Sequence, residues 1–141
     1  MRVAPIPVTD TRSLRHAVLR PREPPEAILS HEPPGAVAFA AFDEGDERPI
    51  AVGLVGPEGG PGSWRVRGMA TAPEARGRGA GTAVLEALVA HARTNGAALV
   101  WCNARVRALT LYERAGFRAV SDEFEVDRIG PHYRMELALT C

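Results

Sequence analysis

The segment from Arg76 to Gly81, Arg-Gly-Arg-Gly-Ala-Gly, constrains this chain most, because three glycines in six positions directly precede an apolar run. Glycine lets the backbone turn tightly and leaves its N–H groups uncovered. A helix that starts after these glycines aims its free N-terminal N–H groups and the positive end of its dipole at one point. The segment therefore predicts a cradle for a ligand that carries a diphosphate.

The residues on both sides of the glycines support this interpretation. Residues 64–71, Trp-Arg-Val-Arg-Gly-Met-Ala-Thr, are typical of a strand, and Pro73 ends it. After the glycines, apolar residues recur at helical spacing, and Asn95-Gly96 is a typical helix end. These apolar residues are Val84, Leu85, Leu88, Val89 and Ala92. Strand, glycine loop and helix in this order favour a phosphate cradle over a chance run of glycines.

Two common nucleotide sites do not fit this loop. The chain contains no lysine, and all 17 of its basic residues are arginine, so the Gly-Lys-Ser/Thr of a P-loop is absent. A dinucleotide-binding turn spaces its glycines as Gly-x-Gly-x-x-Gly and is followed by an acid at the end of the next strand. Here the glycines alternate, and residues 99–103, Leu-Val-Trp-Cys-Asn, contain no acid.

A second motif follows the first at residues 111–117, Leu-Tyr-Glu-Arg-Ala-Gly-Phe. With it, the chain resembles the GCN5-related N-acetyltransferases over about residues 64–120. Their signature, Gln/Arg-x-x-Gly-x-Gly/Ala, is matched by Arg76, Gly79 and Gly81. Their later motif, aromatic-Tyr-x-x-x-Gly-Phe, is matched with Leu111 in place of the aromatic residue.

The resemblance implies one N-acetyltransferase domain over residues 1–141, with an α/β (α+β) fold. Its mixed, mostly antiparallel sheet is flanked by helices and splayed between two central parallel strands. The implied activity is direct transfer of acetyl from acetyl-CoA to a primary amine of a small molecule or peptide, without a covalent enzyme intermediate. The alternative is a non-catalytic acyl-CoA-binding sensor.

The resemblance also implies where acetyl-CoA binds. Backbone groups of Met69, Ala70 and Thr71 are expected to contact the pantetheine arm and the acetyl carbonyl. The diphosphate is expected on the backbone N–H groups of six consecutive residues: Gly77, Arg78, Gly79, Ala80, Gly81 and Thr82.

Arg76, Asn103 and Ala108 complete the expected cofactor site, and Asn103 and the already named Arg78 have alternatives. Arg76 occupies the signature position, whereas Arg78 either joins it or is a solvated surface charge. Asn103 either binds a pantetheine amide or caps the following helix, in which Ala108 forms the first turn and is also expected at the cofactor.

Tyr112 is the expected catalytic residue. A phenol with a pKa of about 10 stays protonated at neutral pH and can give its proton to the departing CoA thiolate. The alternative is a core aromatic residue. The sequence does not identify a general base: His132 has a suitable pKa, and a water chain would serve equally. The nearby acids Glu123, Glu125 and Asp127 are more typical of structural roles.

The residue patterns that a metal site or a serine hydrolase requires are absent from the sequence. The four histidines show no ligand spacing, so no metal site is expected. The Gly-x-Ser-x-Gly of a serine hydrolase is absent. Cys102 is expected to pack in the core.

The acceptor pocket is expected from residues 20–35 and 122–133, by resemblance. Their acids suggest a cationic acceptor, but Arg20, Arg22 and Arg128 weaken that suggestion, and a solvated loop of mixed charge is the alternative. The acids are Glu23, Glu26, Glu32, Asp122, Glu123, Glu125 and Asp127.

Composition limits the class of protein. A mass of 15.1 kDa suits one domain. No apolar run approaches the ~20 residues of a membrane span, and the N-terminus lacks the apolar stretch of a signal peptide. Two cysteines, Cys102 and Cys141, make no disulfide framework, so we expect a cytoplasmic protein. A net charge of zero argues against nucleic-acid partners. A homodimer and a monomer are both compatible.

Patterning predicts the remaining elements. An edge strand is expected at 3–8. A helix follows it, capped by Thr9 or Asp10 and stopped by Pro21, and a short helix is expected at 26–30. Later elements are two strands at 37–42 and 50–55, a helix at about 105–115, and last strands at 117–126 and 133–139.

Overall fold

The computed structural model describes residues 1–127 and 129–139, and within them it shows three α-helices and eight strands. The helices are α1 (Arg12–Leu19), α2 (Ala80–Thr94) and α3 (Leu109–Arg114). The strands are β1 (Arg2–Ile6), β2 (Val37–Phe42), β3 (Ala51–Pro57), β4 (Ser63–Thr71), β5 (Leu99–Arg105), β6 (Arg118–Ala119), β7 (Phe124–Val126) and β8 (Gly130–Ala138). Short 3₁₀ segments cover Val8–Thr11, Pro25–His31, Pro73–Ala75 and Val106–Ala108. Arg128 and Cys141, named above, lie outside the described residues.

All the described strands form one sheet in the order β1-β2-β3-β4-β5-β8-β6, and β7 also pairs with β8. Only β4 and β5 run parallel, as predicted for the two central strands. They pair over just three residues each, Ser63–Arg65 with Leu99–Trp101. Beyond that point β4 stays bonded to β3 and β5 stays bonded to β8, so the two strands separate. The predicted splayed α/β fold is confirmed.

A β-bulge in β4 accompanies this separation. Gly53 of β3 faces two residues of β4, Gly68 and Met69. Gly68 has φ +65°, a left-handed conformation that only glycine adopts without strain. A bulge bends its strand and increases the local twist, which turns the second half of β4 away from β5.

Helices cover both faces of the sheet. The buried side of α2 carries the apolar residues expected from the sequence and packs against β2, β3 and β4. Its end is a Schellman motif, because the N–H of Ala97 bonds the Ala92 carbonyl at 3.0 Å and that of Gly96 bonds Arg93 at 3.1 Å. The opposite face packs on α1 through Ala40, Phe42, Val52 and Ala70. No described helix is long and apolar enough to span a membrane.

The predicted start of the first helix is wrong. Neither Thr9 nor Asp10 caps it, and α1 begins at Arg12 without a side-chain cap. A 3₁₀ turn after Pro7 leads into the helix instead. The hydroxyl of Thr11 is used within that turn, where it donates to the Val8 carbonyl at 2.6 Å.

The predicted strand at 117–126 is also wrong as one element, because it is broken into β6 and β7. Four residues, 120–123, lie opposite only Tyr133 and Arg134 of β8, so the ladder is interrupted. The Ser121 hydroxyl accepts the Arg134 N–H at 2.9 Å across this gap. The strand β5 likewise runs two residues beyond its predicted end at Asn103.

Candidate active site

A cavity of about 660 Å³ opens where β4 and β5 separate. The fold brings seven of the sequence-predicted site residues into its lining: Met69, Thr71, Arg76, Gly77, Asn103, Ala108 and Tyr112. The remaining predicted residues do not line it. Ala70 is buried on the α1 side of the sheet, whereas 78–82 form the end of the glycine loop and the first turn of α2, where Arg78 and Gly79 are exposed and Ala80 is buried.

The first turn of α2 presents a group of free backbone donors. Gly77 has φ +79° and Gly79 has φ +81°, and a Cβ at either position would meet nothing within 4 Å. The first intrahelical bond runs from Ala83 N–H to Gly79 at 3.0 Å. The four N–H groups of residues 79–82 donate to no described residue. Free donors in this arrangement, with the positive end of the helix dipole behind them, suit an anion.

Gly81 lies where this turn packs against two residues of the cavity wall. A Cβ on Gly81 would lie 3.2 Å from the Thr71 hydroxyl and 3.9 Å from a Leu111 methyl, and both of these residues line the cavity. The absence of a side chain therefore lets α2 approach β4 and α3 closely. Leu111, which replaces the aromatic residue of the family motif, forms part of this contact.

The two arginines of the glycine loop have different surroundings. Arg76 lines the cavity and is exposed, and its side chain has no hydrogen bond or ion pair with any described residue. Arg78 forms an exposed ion pair with Asp43 of the β2–β3 turn. The structure thus favours a surface ion pair for Arg78 and leaves Arg76 available for a ligand.

Asn103 does not cap the helix that follows it. The 3₁₀ turn begins at Val106 with Arg105 before it, and no side chain caps that turn. The Asn103 amide is half-buried in the cavity wall without a hydrogen bond to any described residue. An amide in this state has donors and an acceptor to offer to a ligand.

Tyr112 belongs both to the core and to the cavity. Its ring packs edge-on against Phe117, with centroids 5.4 Å apart, and the residue is 5% exposed. Burial raises the pKa of Tyr112 well above its usual range, and the adjacent Cys102 thiol raises it further. Burial also raises the pKa of the Cys102 thiol to about 12. Both groups therefore stay protonated at neutral pH.

His132 lies in the cavity wall with a defined tautomer. Its Nδ1 is 2.9 Å from the Gly130 carbonyl oxygen, which can only accept, so Nδ1 carries the proton of this bond. In the neutral ring Nε2 is then left with a lone pair. The ring stacks on Phe124, with centroids 6.0 Å apart.

His31 is a second imidazole in the cavity wall, which the sequence did not single out. Burial lowers the pKa of His31, and the charges of Arg20, Arg67 and Arg15 lower it further, whereas Glu23 acts in the opposite direction. The ring is therefore neutral at pH 7 and can accept a proton. Its position depends on how the 3₁₀ segment packs on α1, which no local pattern reveals.

We expect the His31→Gln variant to lose less stability than the wild type on acidification. The unfolded chain protonates His31 near pH 6.5, but the folded chain does so only at lower pH, so native stability falls as the pH drops through that window. Thermal unfolding of both proteins between about pH 8 and pH 5.5 measures this difference. Equal slopes for the two proteins would contradict it.

The acids expected at the acceptor pocket are absent from the described lining of the cavity. Glu26 and the acids of 122–127 are exposed, and Glu23 and Glu32 form ion pairs behind the wall. Seven arginines line the cavity instead: Arg15, Arg20, Arg65, Arg67, Arg76, Arg105 and Arg107. Within the described ranges, no group of three or more metal-ligating side chains is present.

Comparisons with known proteins agree with this geometry. The family model described as the Acetyltransferase (GNAT) family matches residues 7–117. The chain is 29% identical over 140 residues to the uncharacterised N-acetyltransferase YitI of Bacillus subtilis (strain 168), covering 96% of this chain and 94% of that protein.

Two solved structures show the same fold at low identity. One is the ribosomal-protein-S18-alanine N-acetyltransferase of Escherichia coli, with a TM-score of 0.78 and 18% identity over 99% of this chain and 94% of that one. The other is an aminoglycoside 6'-N-acetyltransferase complexed with coenzyme A, with a TM-score of 0.78 and 14% identity over 98% and 97%. With the family model covering most of its length, this chain belongs to the acetyltransferase (GNAT) family and is an acyltransferase.

Proposed function

We propose that residues 1–141 act as one N-acetyltransferase domain that moves an acetyl group from acetyl-CoA to a primary amine of a small molecule or peptide. The coenzyme A bound to the aminoglycoside 6'-N-acetyltransferase of the same fold supports the choice of donor. A cytoplasmic location remains a prediction.

The observation that carries the proposal is the position of the free N–H groups of α2. They lie beside Thr71 and Leu111, at the edge of a cavity that the separated strands create. A diphosphate on these donors directs the rest of an elongated ligand into the gap between β4 and β5. The β5-facing edge of β4 has no strand partner beyond Arg65, so its backbone groups are available there.

The reaction requires one proton to leave the amine and one to reach the sulfur. The amine nitrogen bonds to the acetyl carbon while the carbon–sulfur bond breaks. Tyr112 holds a proton at its hydroxyl for the sulfur, because burial keeps the phenol neutral. The wall offers two imidazoles, His31 and Nε2 of His132, as bases for the amine.

Direct attack is preferred over a covalent enzyme intermediate. The only thiol in the cavity region of the described chain is Cys102, and burial raises its pKa to about 12. A thiolate is the nucleophilic form, and at neutral pH almost none is present at such a pKa. Alignment of amine and thioester in the cavity therefore supplies most of the catalysis.

The Gly79→Glu variant tests this function. A negative side chain at φ +81° strains the turn and repels a diphosphate, so we expect acetyl-CoA to bind about 100-fold more weakly. Calorimetric titration with acetyl-CoA measures the affinity. The Gly96→Glu variant is the matched control, because Gly96 has φ +86°, equally empty surroundings and a place at the other end of α2.

Two outcomes of that titration would contradict the proposal. One is a folded Gly79→Glu variant that binds acetyl-CoA as tightly as the wild type, because the diphosphate would then not lie at this turn. The other is a folded wild type that does not bind acetyl-CoA.

A further inference from the structure

The two faces of the splayed strands give the cavity two different sides. Cys102, Ala104 and Tyr112 belong to the cluster that packs against α2. Successive residues of a strand point to opposite faces, so Asn103 and Arg105 face α1. In agreement, Arg105 Nη2 donates to the Leu19 carbonyl at the end of α1 at 2.9 Å. The glycine loop lies at the α2 side, which leaves the α1 side for the acceptor.

The α1 side has more arginines than nearby carboxylates. Glu32 pairs with Arg12 and Arg15, and Glu58 pairs with Arg65 and Arg67. Arg20 pairs with Glu23. Arg105 and Arg107 have no carboxylate partner among the described residues, so positive charge is in excess there.

The arginines of this side also repel one another. Burial lowers the pKa of Arg105, and the charges of Arg107 and Arg20 lower it further. The guanidiniums of Arg20 and Arg67 act in the same direction on His31. Like charges held close together in a partly buried wall destabilise the free protein unless an anion lies among them.

Two of these arginines also have a buried N–H group without a hydrogen-bond partner. The Nε atoms of Arg15 and Arg65 are the only buried side-chain nitrogens or oxygens in the described chain without a hydrogen-bond partner. Arg15 is 1% exposed, and a Cβ on Gly68 of the bulge would lie 2.9 Å from its Nε. Each unpaired buried donor destabilises the folded protein. Buried polar groups without a hydrogen-bond partner concentrate at functional sites.

We propose that the acceptor amine also carries an acidic group, a carboxylate or a phosphate, which binds the arginines on the α1 side of the cavity around Arg105. This inference rests on the proposed acetyl transfer. The acidic group anchors the acceptor through charge-assisted bonds, and its position sets the distance of the amine from the thioester. The same charges reject polyamines and aminoglycosides, whose many ammonium groups find no carboxylate among the described residues of the wall.

Matched acceptors test the proposal with the wild-type enzyme and saturating acetyl-CoA, by following free-thiol release. Free amino acids are compared with their carboxamides, phosphoethanolamine with ethanolamine, and spermidine serves as the polycation. We expect at least one acid to exceed its partner without the acidic group about 100-fold in kcat/KM. The two pairs distinguish carboxylate from phosphate. Preference for the carboxamides, ethanolamine or spermidine would overturn the proposal.

The Arg105→Gln variant locates the site. It keeps a donor for the Leu19 carbonyl but removes the charge, so we expect KM for the acidic acceptor to rise about tenfold or more while KM for acetyl-CoA stays the same. Arg105→Lys should recover part of the loss. Arg93→Gln, an exposed position on α2, is the control and should change neither constant. Equal effects of the two glutamine variants would overturn the assignment.

Failure of this inference is distinguishable from failure of the function. Acetyl-CoA binding with acetylation of cationic amines alone leaves the transferase and removes the acidic acceptor. If acetyl-CoA does not bind, thermal shift with the same amino acids and phosphoethanolamine still tests the arginine site. No shift for any acid, together with no acidic substrate, would reject the site.

Discussion

The Tyr112→Phe variant is expected to lose about 100- to 10,000-fold in kcat, which corresponds to about 3–5 kcal/mol of transition-state stabilisation. The hydroxyl is needed only while the thiolate leaves, so KM for acetyl-CoA should change little. Burial makes the phenol a weaker acid, but a thiolate formed against the same buried wall is also more basic than in water. Proton transfer between them therefore remains feasible. Single-turnover kinetics with a good acceptor measures the loss.

Tyr133→Phe is the matched control for this experiment, because Tyr133 is the only other tyrosine. Its hydroxyl donates to Glu123 at 3.5 Å at the surface, so kcat should stay near the wild-type value. Thermal unfolding confirms that both variants fold. Full turnover by Tyr112→Phe would leave Tyr112 as a core aromatic residue and would assign the proton to water.

The Glu32→Gln variant is expected to lose about 3 kcal/mol of unfolding free energy, or about 10 °C in Tm. Arg15 is 1% exposed, and its Nη1 donates to Glu32 at 2.6 Å. Loss of the carboxylate leaves a buried guanidinium without its counter-charge, although the bond to the Ile28 carbonyl at 2.9 Å remains. Because this pair ties α1 to the 3₁₀ segment, the position of His31 should suffer as well.

The pH dependence of Glu32→Gln identifies the cause of the loss. The hydrogen bond from Arg12 and then that from Arg15 lower the pKa of Glu32. The stabilisation is therefore present above pH 4.5, the ordinary value, and is lost as the pH falls through the lower folded pKa. The gap in Tm between variant and wild type should close on acidification. A gap that stays constant down to about pH 3 would contradict the ion-pair explanation.

Asp43→Asn serves as the control for Glu32→Gln. It breaks the Arg78 ion pair, in which both side chains are exposed, so Tm should change little. The double variant Arg15→Met, Glu32→Leu should recover part of the Glu32→Gln loss, because an apolar pair leaves no unpaired buried charge.

The glycine loop, the helix after it and the place of Tyr112 were largely predictable from the sequence. The glycine loop, the periodic face of α2 and the Asn95-Gly96 stop are local patterns, and each of these elements is confirmed. The later motif placed Tyr112 on a helix after β5 in the same way. Glycine conformation and helical periodicity depend on neighbours within a few residues, so they can be predicted without tertiary information.

The lining on the α1 side of the cavity was not predictable. The acids of residues 20–35 and 122–133 lie outside the wall, which agrees with a solvated loop of mixed charge, whereas arginines from α1, β4 and β5 meet inside it. One sequence signal was present, the glycine at position 68 inside a strand, which often marks a bulge. The split of the predicted strand at 117–126 likewise arises from its register with β8.

By itself the sequence determined the order of strands and helices, the glycine turn before α2 and the family, because backbone preference and side-chain spacing act locally. Only the tertiary structure decided which side chains share the cavity. The bulge at Gly68 opens the gap, and packing of α1 across β4 brings Arg15 and His31 to it. Burial then sets the protonation of Tyr112 and His31, since desolvation depends on the whole fold around a group and not on its neighbours in the chain.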